Sequence, residues 1–447
     1  MPFLPHARED AEKMLRKIGV GSFEELLRHI PEVLRSDTRI NLPRPLSELE
    51  IQKALETLDG ENKACRNTVS FLGGGAYDHF IPKVVDFIIS RSEFATAYTP
   101  YQAEVSQGTL QAMYEFQSLI CELTGMDVSN ASMYDGASAM AEAVIMAKNL
   151  KRRSEVIVSS AVNPLYRRTL ETYARSQDIR IIECPLKGLV TDPEALAKHI
   201  GGNTAAVIVQ SPNFFGCIED TEAAATAAHQ QDALFIQGAD PVSLSLLKTP
   251  GEADADIAFG EGQSLGNPLN FGGSYLGLFA TKKAYIRKMP GRIAGMTEDT
   301  EGRRAFVLTL QTREQHIRRE KATSNICSNE ALCALAATVY LALMGTTGLR
   351  KTAELCIQKS HYLHGRVSGL PGFSAASEDP FFKEFVIRTP LPAKHIVKKA
   401  KDCGFDAGVD LGRFYPGREH ELLIAVTEKR SKADMDAFVE CLSGIPQ

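Results

Sequence analysis

Apolar positions in the first 62 residues repeat with helical spacing. Residues 22–25 and 47–50 both read Ser-x-x-Glu, the spacing of a capping box at a helix start. After the second of these, one helical face carries four apolar residues, Ile51, Ala54, Leu55 and Leu58. The pattern predicts an N-terminal helical arm over residues 1–62.

From residue 71 to about 285, short apolar runs alternate with amphipathic segments. Six runs have the length and composition of buried strands, at residues 156–159, 179–184, 205–210, 234–237, 256–260 and 275–280. Helical patterns lie between most of them, as at 192–200 and 221–231. Strands joined through helices predict an α/β fold with a mostly parallel sheet covered by helices on both faces.

The last third of the chain has a different order of predicted helices and strands. An alanine-rich apolar helix is predicted at 329–344, followed by another helix and by strand-like runs at 384–388 and 422–427. Together with the arm, these patterns predict a large α/β domain at residues 63–345. A smaller α+β domain is predicted at residues 346–447.

Composition excludes several classes of function. The 447 residues are 44% hydrophobic and 23% charged, with a net charge of -5, so no basic field favours nucleic acid. We find no uninterrupted apolar run that is long enough for a bilayer, and the first residues given, MPFLPH, are not a basic region followed by an apolar stretch. The nine cysteines and ten histidines show no metal-ligand spacing. We therefore expect a cytoplasmic protein with no metal, no membrane and no nucleic-acid partner.

Residues 255–266 read as a buried strand that ends in a glycine-rich turn. Open α/β sheets place their ligands outside the carboxyl ends of such strands. The turn carries Glu261, Gln263 and Ser264 but no lysine, histidine or cysteine. A cofactor site is indicated, and a usual nucleophile is missing from it.

Two further segments offer cofactor contacts, each with a structural alternative. Asp135, Gly136 and Ser138 begin a predicted helix whose free N–H groups suit a phosphate, although an N-cap with close packing is favoured. Asp240 follows the strand at 234–237, where an acid pairs with a protonated cofactor ring or stabilises a turn. Both interpretations of Asp240 stay open.

Two stretches suit contact with a partner. The loop at 98–108 combines aromatic and amide side chains with a proline, which is typical of a binding loop or of a connector packed on the sheet. Its candidate residues are Tyr98, Tyr101, Gln102, Ser106 and Gln107. An arginine-rich stretch at 286–330 suits an anionic partner, although a solvated face paired with Glu298, Glu301, Glu314 and Glu320 is favoured.

Six motifs together resemble one family over essentially the whole chain. They are FLGGGAYDHFIP at 71–82, the loop at 98–108, YDGA at 134–137, QSPNFFGC at 210–217, GEGQSLG at 260–266 and REKATSNIC at 319–327. The chain resembles glycine decarboxylase, the P-protein of the glycine cleavage system. Within that family it is similar to subunit 1, the N-terminal type, of the two-subunit form.

The resemblance implies a fold-type I pyridoxal-phosphate (PLP) transferase architecture and a homologous second subunit that carries PLP and its lysine. Gln263 or Ser264 takes the place of that lysine here, so no catalytic residue is expected in this chain. The pair would decarboxylate glycine and pass its aminomethyl group to the lipoyl group of the H carrier protein, as an α2β2 heterotetramer. A vestigial pocket would keep Asp135, Gly136, Ser138, Asp240, Gln263 and Ser264.

The resemblance also gives the two surface stretches a role. The loop residues become candidates for a site or channel shared with the partner. The candidates for contact with the partner or the carrier protein are Arg318, Arg319, Lys321 and Asn325. Two alternatives remain, a self-sufficient PLP enzyme that uses another lysine and a scaffold without enzymatic activity.

Overall fold

The computed structural model describes residues 6–35, 42–62, 68–322, 324–326 and 328–445. The chain divides into two compact units, residues 1–63 and 64–447. The first contains the helices Arg8–Ile18, Phe23–Leu26 and Glu48–Glu61. The Oγ of Ser47 accepts from the N–H of Glu50, whose carboxylate accepts from the N–H of Ser47, so the predicted capping box is confirmed.

A seven-stranded sheet organises the second unit. In spatial order its strands are Val128–Ser129, Gly277–Thr281, Ile257–Glu261, Leu234–Ala239, Thr204–Ser211, Glu155–Ser159 and Arg180–Cys184. All six predicted strands are therefore in one sheet. The five from Ile257–Glu261 onward are parallel, whereas Gly277–Thr281 pairs antiparallel on both sides. The prediction of a mostly parallel sheet is confirmed.

Side chains that alternate along the strands pack against helices on opposite faces of the sheet. Val156 and Val158 belong to a core that also contains Val144 of the helix Gly136–Lys151. Ile157, between them, packs with the opposite group of helices. The helices of the α/β region are Gln107–Thr124, Gly136–Lys151, Pro164–Arg175, Pro193–His199 and Thr221–Gln230. This two-sided cover explains why the strands read as nearly continuous apolar runs.

The C-terminal region adds a second sheet. Its antiparallel strands are, in spatial order, Ser374–Ala375, Glu384–Arg388, Glu421–Ala425 and Val409–Asp410. The helices Ala393–Asp402 and Lys432–Ser443 contribute to its core. Apart from the 3-10 turns and one long helix, the other described elements are short. They are the strand Val69–Ser70, paired with Phe405–Asp406, the strands Leu186–Lys187, Val190–Thr191, Ile293–Glu298 and Arg304–Thr309, and the α-helices Lys83–Ile89, Ser92–Ala95 and Gln315–Arg318.

The longest described helix, Ala331–Ser368, is broken at Gly345, where φ is 56° and ψ is -173°. It is the one helix of the described ranges that has the length and hydropathy to cross a bilayer, but 44% of its apolar window is buried inside the protein. A core helix has the same character. Gly345 coincides with the domain boundary expected from the sequence, and the division of residues 63–447 into two domains stays a prediction.

Candidate functional site

A small cavity lies at the carboxyl ends of the strands Leu234–Ala239 and Ile257–Glu261, where α/β sheets carry their ligands. Other walls come from residues 75–77 and 382–384. The free space is about 30 Å³, enough for one or two water molecules. Side chains of the chain itself therefore fill most of this position.

A buried ion pair occupies the cavity. The Nζ of Lys383 lies 2.6 Å from Oδ2 of Asp240, and the two side chains are 1% and 10% exposed. The same Nζ is 3.5 Å from the centre of the Tyr77 ring, within cation–π distance. The other oxygen of Asp240 accepts from the N–H of Val242 at 2.9 Å. Asp240 thus stabilises a turn and also binds a cation, which is a lysine of this chain.

His79 and Glu428 extend the ion pair. The Nζ of Lys383 is 3.1 Å from Nε2 of His79. Because an ammonium group only donates, Nε2 accepts and the ring proton sits on Nδ1, which donates to Oε2 of Glu428 at 2.6 Å. Burial acts to raise the pKa of Glu428, but the hydrogen bonds that its carboxylate accepts from the His79 ring and from the N–H of Phe80 outweigh burial and lower the pKa to about 2. We call Asp240, Lys383, His79 and Glu428 the buried polar network.

Three members of this neighbourhood have the chemistry of metal ligands. Ligand atoms of His79, Cys356 and Glu428 lie within 4.8 Å of one another. The hydrogen bond between His79 and Glu428 already uses two of them, and the ammonium group of Lys383 beside His79 repels a divalent cation. We therefore assign no metal to this cluster.

A second carboxylate is buried beside the network. Oε2 of Glu384 accepts from the hydroxyl of Tyr77 at 2.6 Å, and Oε1 accepts from the N–H of Gly74 at 2.7 Å. Burial raises the pKa of Glu384 to about 7, in spite of these two hydrogen bonds. The group therefore favours its protonated form more than a solvated glutamate does.

Gln263, at the position expected for the lysine, is 2% exposed and holds neighbouring backbone. Its Oε1 accepts from the N–H of Tyr77 at 2.8 Å. Its Nε2 donates to the carbonyl oxygens of Tyr77 and Asn267 at 3.1 and 2.7 Å. Ser264 is also buried, at 3% exposure. Both side chains are structural, and their amide and hydroxyl groups do not form imines.

The helix N-terminus considered as a phosphate site is bound by carboxylates. Oδ1 of Asp135 accepts from the N–H of Ser138 at 2.7 Å, which is the N-cap arrangement. Oε2 of Glu261 accepts from the N–H of Gly136 at 3.0 Å. Two further backbone N–H groups donate to Oε1 of Glu261, and burial nonetheless raises the pKa of this residue to about 8. A Cβ at position 136 would lie 2.7 Å from the Tyr166 hydroxyl, so Gly136 is required for packing.

The loop at 98–108 divides into exposed and anchored residues. Tyr98 is 91% exposed, and Gln102 is also exposed. The Tyr101 hydroxyl accepts from Arg292 at 3.2 Å. The side-chain amide of Gln107 exchanges two hydrogen bonds with the backbone of Phe306, at 2.8 and 2.9 Å. Ser106 is half-buried as the residue before the helix. Gln107 is thus an anchor, which the sequence did not indicate.

A cavity of about 230 Å³ lies next to this loop. Its wall is mainly apolar and includes Phe94, Tyr98, Met113, Leu332 and Leu335. Tyr98 is therefore at once an exposed side chain and part of a cavity wall.

The arginine-rich stretch does not form the uniform solvated face that the sequence favours. Arg292 and Arg313 are buried, at 4% and 7% exposure. Arg313 donates to the carbonyl oxygens of Met289 and Gly291. Arg303 is exposed and pairs with Asp299 and with Glu301, and the second of these pairs is one that the interpretation expects. For Arg292 and Arg313 the interpretation as a solvated face is wrong, because both side chains are buried and bind polar groups inside the protein.

The cations proposed for partner contact are on the outside. Arg318, Arg319 and Lys321 are exposed, and within the described ranges no ion pair is recorded for them. Arg319 and Asn325 line a polar cleft of about 620 Å³. This geometry leaves the three cations available to an anionic surface.

The sequence interpretation missed the residues that fill the cavity. Tyr77 and His79 lie inside a motif that had no assigned role, and Lys383, Glu384 and Glu428 come from the C-terminal region. One signal was present, because the run FFKEFVI places two adjacent charges in an apolar strand. Neighbouring strand residues point to opposite faces, so at least one charge had to point inward.

The fold defines a class of architecture, that of the fold-type I PLP-dependent transferases. A sphingosine-1-phosphate lyase of Burkholderia pseudomallei K96243, 13% identical, superposes with a TM-score of 0.66 over 92% of this chain and 93% of its own. The profile of the family "Glycine cleavage system P-protein" matches residues 1–442. The chain belongs to the glycine cleavage system P-protein family, as the motifs predicted.

The chain is similar to members of this family over its full length. A protein of Moorella thermoacetica named "Probable glycine dehydrogenase (decarboxylating) subunit 1" is 54% identical over 445 residues, covering 100% of both chains. A crystal structure of glycine decarboxylase (P-protein) of the glycine cleavage system, in inhibitor-bound form, has a TM-score of 0.92. It is 43% identical and covers 99% of each chain.

The residues present do not fit PLP. The cofactor needs a lysine for its aldehyde, an acid for its ring nitrogen and free N–H groups for its phosphate. Here Gln263 and Ser264 stand where the sequence places that lysine, the acid Asp240 is bound by Lys383, and the helix N-terminus is bound by Asp135 and Glu261.

The raised pKa of Glu384 predicts a measurable pH dependence of stability. Between pH 4.5 and 7 the folded chain keeps a proton that the unfolded chain releases, so this residue lowers the free energy of unfolding as the pH rises. Glu384→Gln removes the titration while its amide still bonds Tyr77. Between pH 5 and pH 8 the free energy of unfolding, measured with urea, should fall by roughly 2–3 kcal/mol more in the wild type than in this variant.

Glu428→Gln is the matched control. The pKa of Glu428 is about 2, below the tested window, so this variant should keep the pH slope of the wild type. If the free energy of unfolding depends equally on pH in the wild type and in Glu384→Gln, Glu384 is not the group responsible.

Proposed function

We propose that this chain is the first subunit of a two-subunit glycine decarboxylase. With a homologous second subunit it removes the carboxyl group of glycine as CO2. The aminomethyl group is transferred to the lipoyl group of the H carrier protein. Membership of the whole chain in the P-protein family and the 54% identity to a protein named as subunit 1 support this function.

The cofactor PLP belongs to the second subunit in this proposal. The observation that carries this assignment is the buried side chain of Gln263, which holds backbone where an imine-forming lysine is needed. The ion pair of Lys383 with Asp240 supports it independently, because it fills the place of the ring. This chain then contributes surface and stability to a reaction centred on its partner.

The alternative of a self-sufficient PLP enzyme has one specific observation in its favour. Lys383 is a lysine inside the cavity, which the sequence did not indicate. Its Nζ is bound by Asp240 and faces the ring of Tyr77, so this amine is held in an ion pair and is not free to meet an aldehyde. We therefore favour the two-subunit enzyme.

Assembly and location complete the proposal. Two homologous subunits favour a pseudo-symmetric pair that doubles into an α2β2 heterotetramer. Cytoplasmic location is supported by the cysteines, since the seven within the described residues are free thiols.

The proposal predicts strict dependence on the second subunit. The purified chain alone should contain no PLP and catalyse no exchange between glycine and CO2, and mixing with the second subunit should produce exchange. PLP content per chain and isotope exchange measure both. PLP trapped by borohydride on a lysine of this chain alone, with Lys383 as the first peptide to examine, would reverse the assignment.

We propose that the loop at 98–108 borders the site shared with the second subunit. The exposed ring of Tyr98 forms part of an apolar cavity wall, and apolar rings left in solvent are typical of contact surfaces. Tyr101 and Gln107 hold the loop through Arg292 and Phe306, while Gln102 stays exposed. Tyr98 is therefore the residue to test, because its removal leaves the anchors intact.

Tyr98→Ala should lower the exchange rate of the complex about tenfold, since a buried interface aromatic contributes at that level. The melting temperature of the chain alone should stay unchanged. Tyr98→Phe keeps the ring and should remain close to wild type. Wild-type exchange rates in Tyr98→Ala would remove the loop from the shared site.

We further propose that Arg318, Arg319 and Lys321, with Asn325 beside them, meet an anionic surface of the carrier protein or of the second subunit. Their exposure and the polar cleft next to Arg319 support contact with a partner. Opposite charges across such a contact speed association and add affinity at low salt.

Arg318→Glu with Arg319→Glu should raise the KM for the carrier protein, or weaken subunit assembly, about tenfold at low salt. The effect should shrink at high salt, where charges are screened. Arg303→Glu is the control, because Arg303 is exposed but paired with Asp299. A double variant equal to that control in both assays would exclude these cations from either contact.

A further inference from the structure

The buried polar network joins segments that are far apart in the sequence. Asp240 follows a strand of the large sheet, His79 lies in the segment before the first helices of this unit, and Lys383 and Glu428 flank strands of the small sheet. Each contact in the series is between 2.6 and 3.1 Å. The network is therefore a cross-link between three regions of the fold.

Its centre has the chemistry of a cofactor site with an internal occupant. In PLP enzymes an acid pairs with the protonated ring nitrogen, and an aromatic or apolar wall covers the ring. Here the acid is Asp240, the cation is the ammonium group of Lys383, and the Tyr77 ring lies 3.5 Å from that cation. Tyr166 and Phe259 complete the wall.

We propose that Lys383 is a built-in substitute for the ring cation of a cofactor. Its ammonium group takes the position opposite Asp240 that a bound pyridinium would occupy, and it holds the three regions together without a ligand. Lys383 is thus a positioning residue, and the pocket is a site for an organic monocation that the chain fills itself.

Removal of either charge alone leaves the other buried without its partner, which is strongly destabilising. Lys383→Ala should lower the melting temperature of the full chain by roughly 5 °C or more. Lys282→Ala is the matched control. Lys282, like Lys383, forms ion pairs with aspartate, in its case with two, but its side chain is 34% exposed and lies outside the cavity.

The truncation also opens the site, and ligand rescue then tests its specificity. Two probes are added at millimolar concentration: n-butylammonium, which replaces the lost side chain, and pyridoxine, which supplies a pyridine ring without an aldehyde or a phosphate. Each should restore at least half of the lost melting temperature in Lys383→Ala by binding the folded chain. Neither probe should change the melting temperature of the wild type or of Lys282→Ala.

Three outcomes would overturn the proposal. They are rescue by neither probe, equal rescue of Lys282→Ala, and rescue by n-butylammonium without pyridoxine, which would reduce the pocket to an ordinary ion pair. The experiment uses this chain alone, so its result does not depend on whether a second subunit completes a decarboxylase.

A second variant keeps the test decisive if Lys383→Ala does not fold. Lys383→Met combined with Asp240→Asn removes both charges and leaves no buried ion unpaired. This double variant should melt higher than Lys383→Met alone. A double variant that melts lower than that single variant would overturn the pairing on which the proposal rests.

Discussion

The buried carboxylate of Asp240 imposes the constraint on which the centre of this structure depends. An ion removed from water needs a partner of opposite charge at contact distance, and the chain supplies Lys383 at 2.6 Å. That lysine reaches the large sheet from the start of a strand in the small sheet, so the ion pair fixes the two sheets relative to each other. The surrounding polar groups, Tyr77, His79 and Glu384, then need hydrogen-bond partners in positions that are compatible with this fixed ion pair.

The same constraint explains why the many ionisable groups of this site are bound to one another. Perturbed pKa values and a cluster of acids, lysine and histidine at the carboxyl edge of a sheet usually indicate a catalytic centre. Here each such group has an internal partner, and the free space of about 30 Å³ suits one or two water molecules. Clustering alone therefore does not distinguish an active site from a cross-link. Free volume and unpaired donors do.

Much of this arrangement was predictable from the sequence. The six strands and the place of the site were readable, because period and turn composition are local properties of the chain. The absence of a lysine from the glycine-rich turn at 260–266 is visible in the sequence itself. The occupant of the cavity was not, since Lys383 lies more than a hundred residues from Asp240 along the chain and only tertiary packing brings them together. Arg292 and Arg313 were misjudged on the same ground, because burial of a single arginine leaves no periodic signal.

An internal cross-link in place of a cofactor changes what the chain needs from its environment. A PLP enzyme of this fold gains part of its stability from the ligand, in proportion to ligand concentration. This chain carries the equivalent cation covalently, so its folded state does not depend on a supply of cofactor. A subunit that is stable by itself can present a constant surface, including the exposed Tyr98 and the cations near Arg319, to a partner that performs the chemistry.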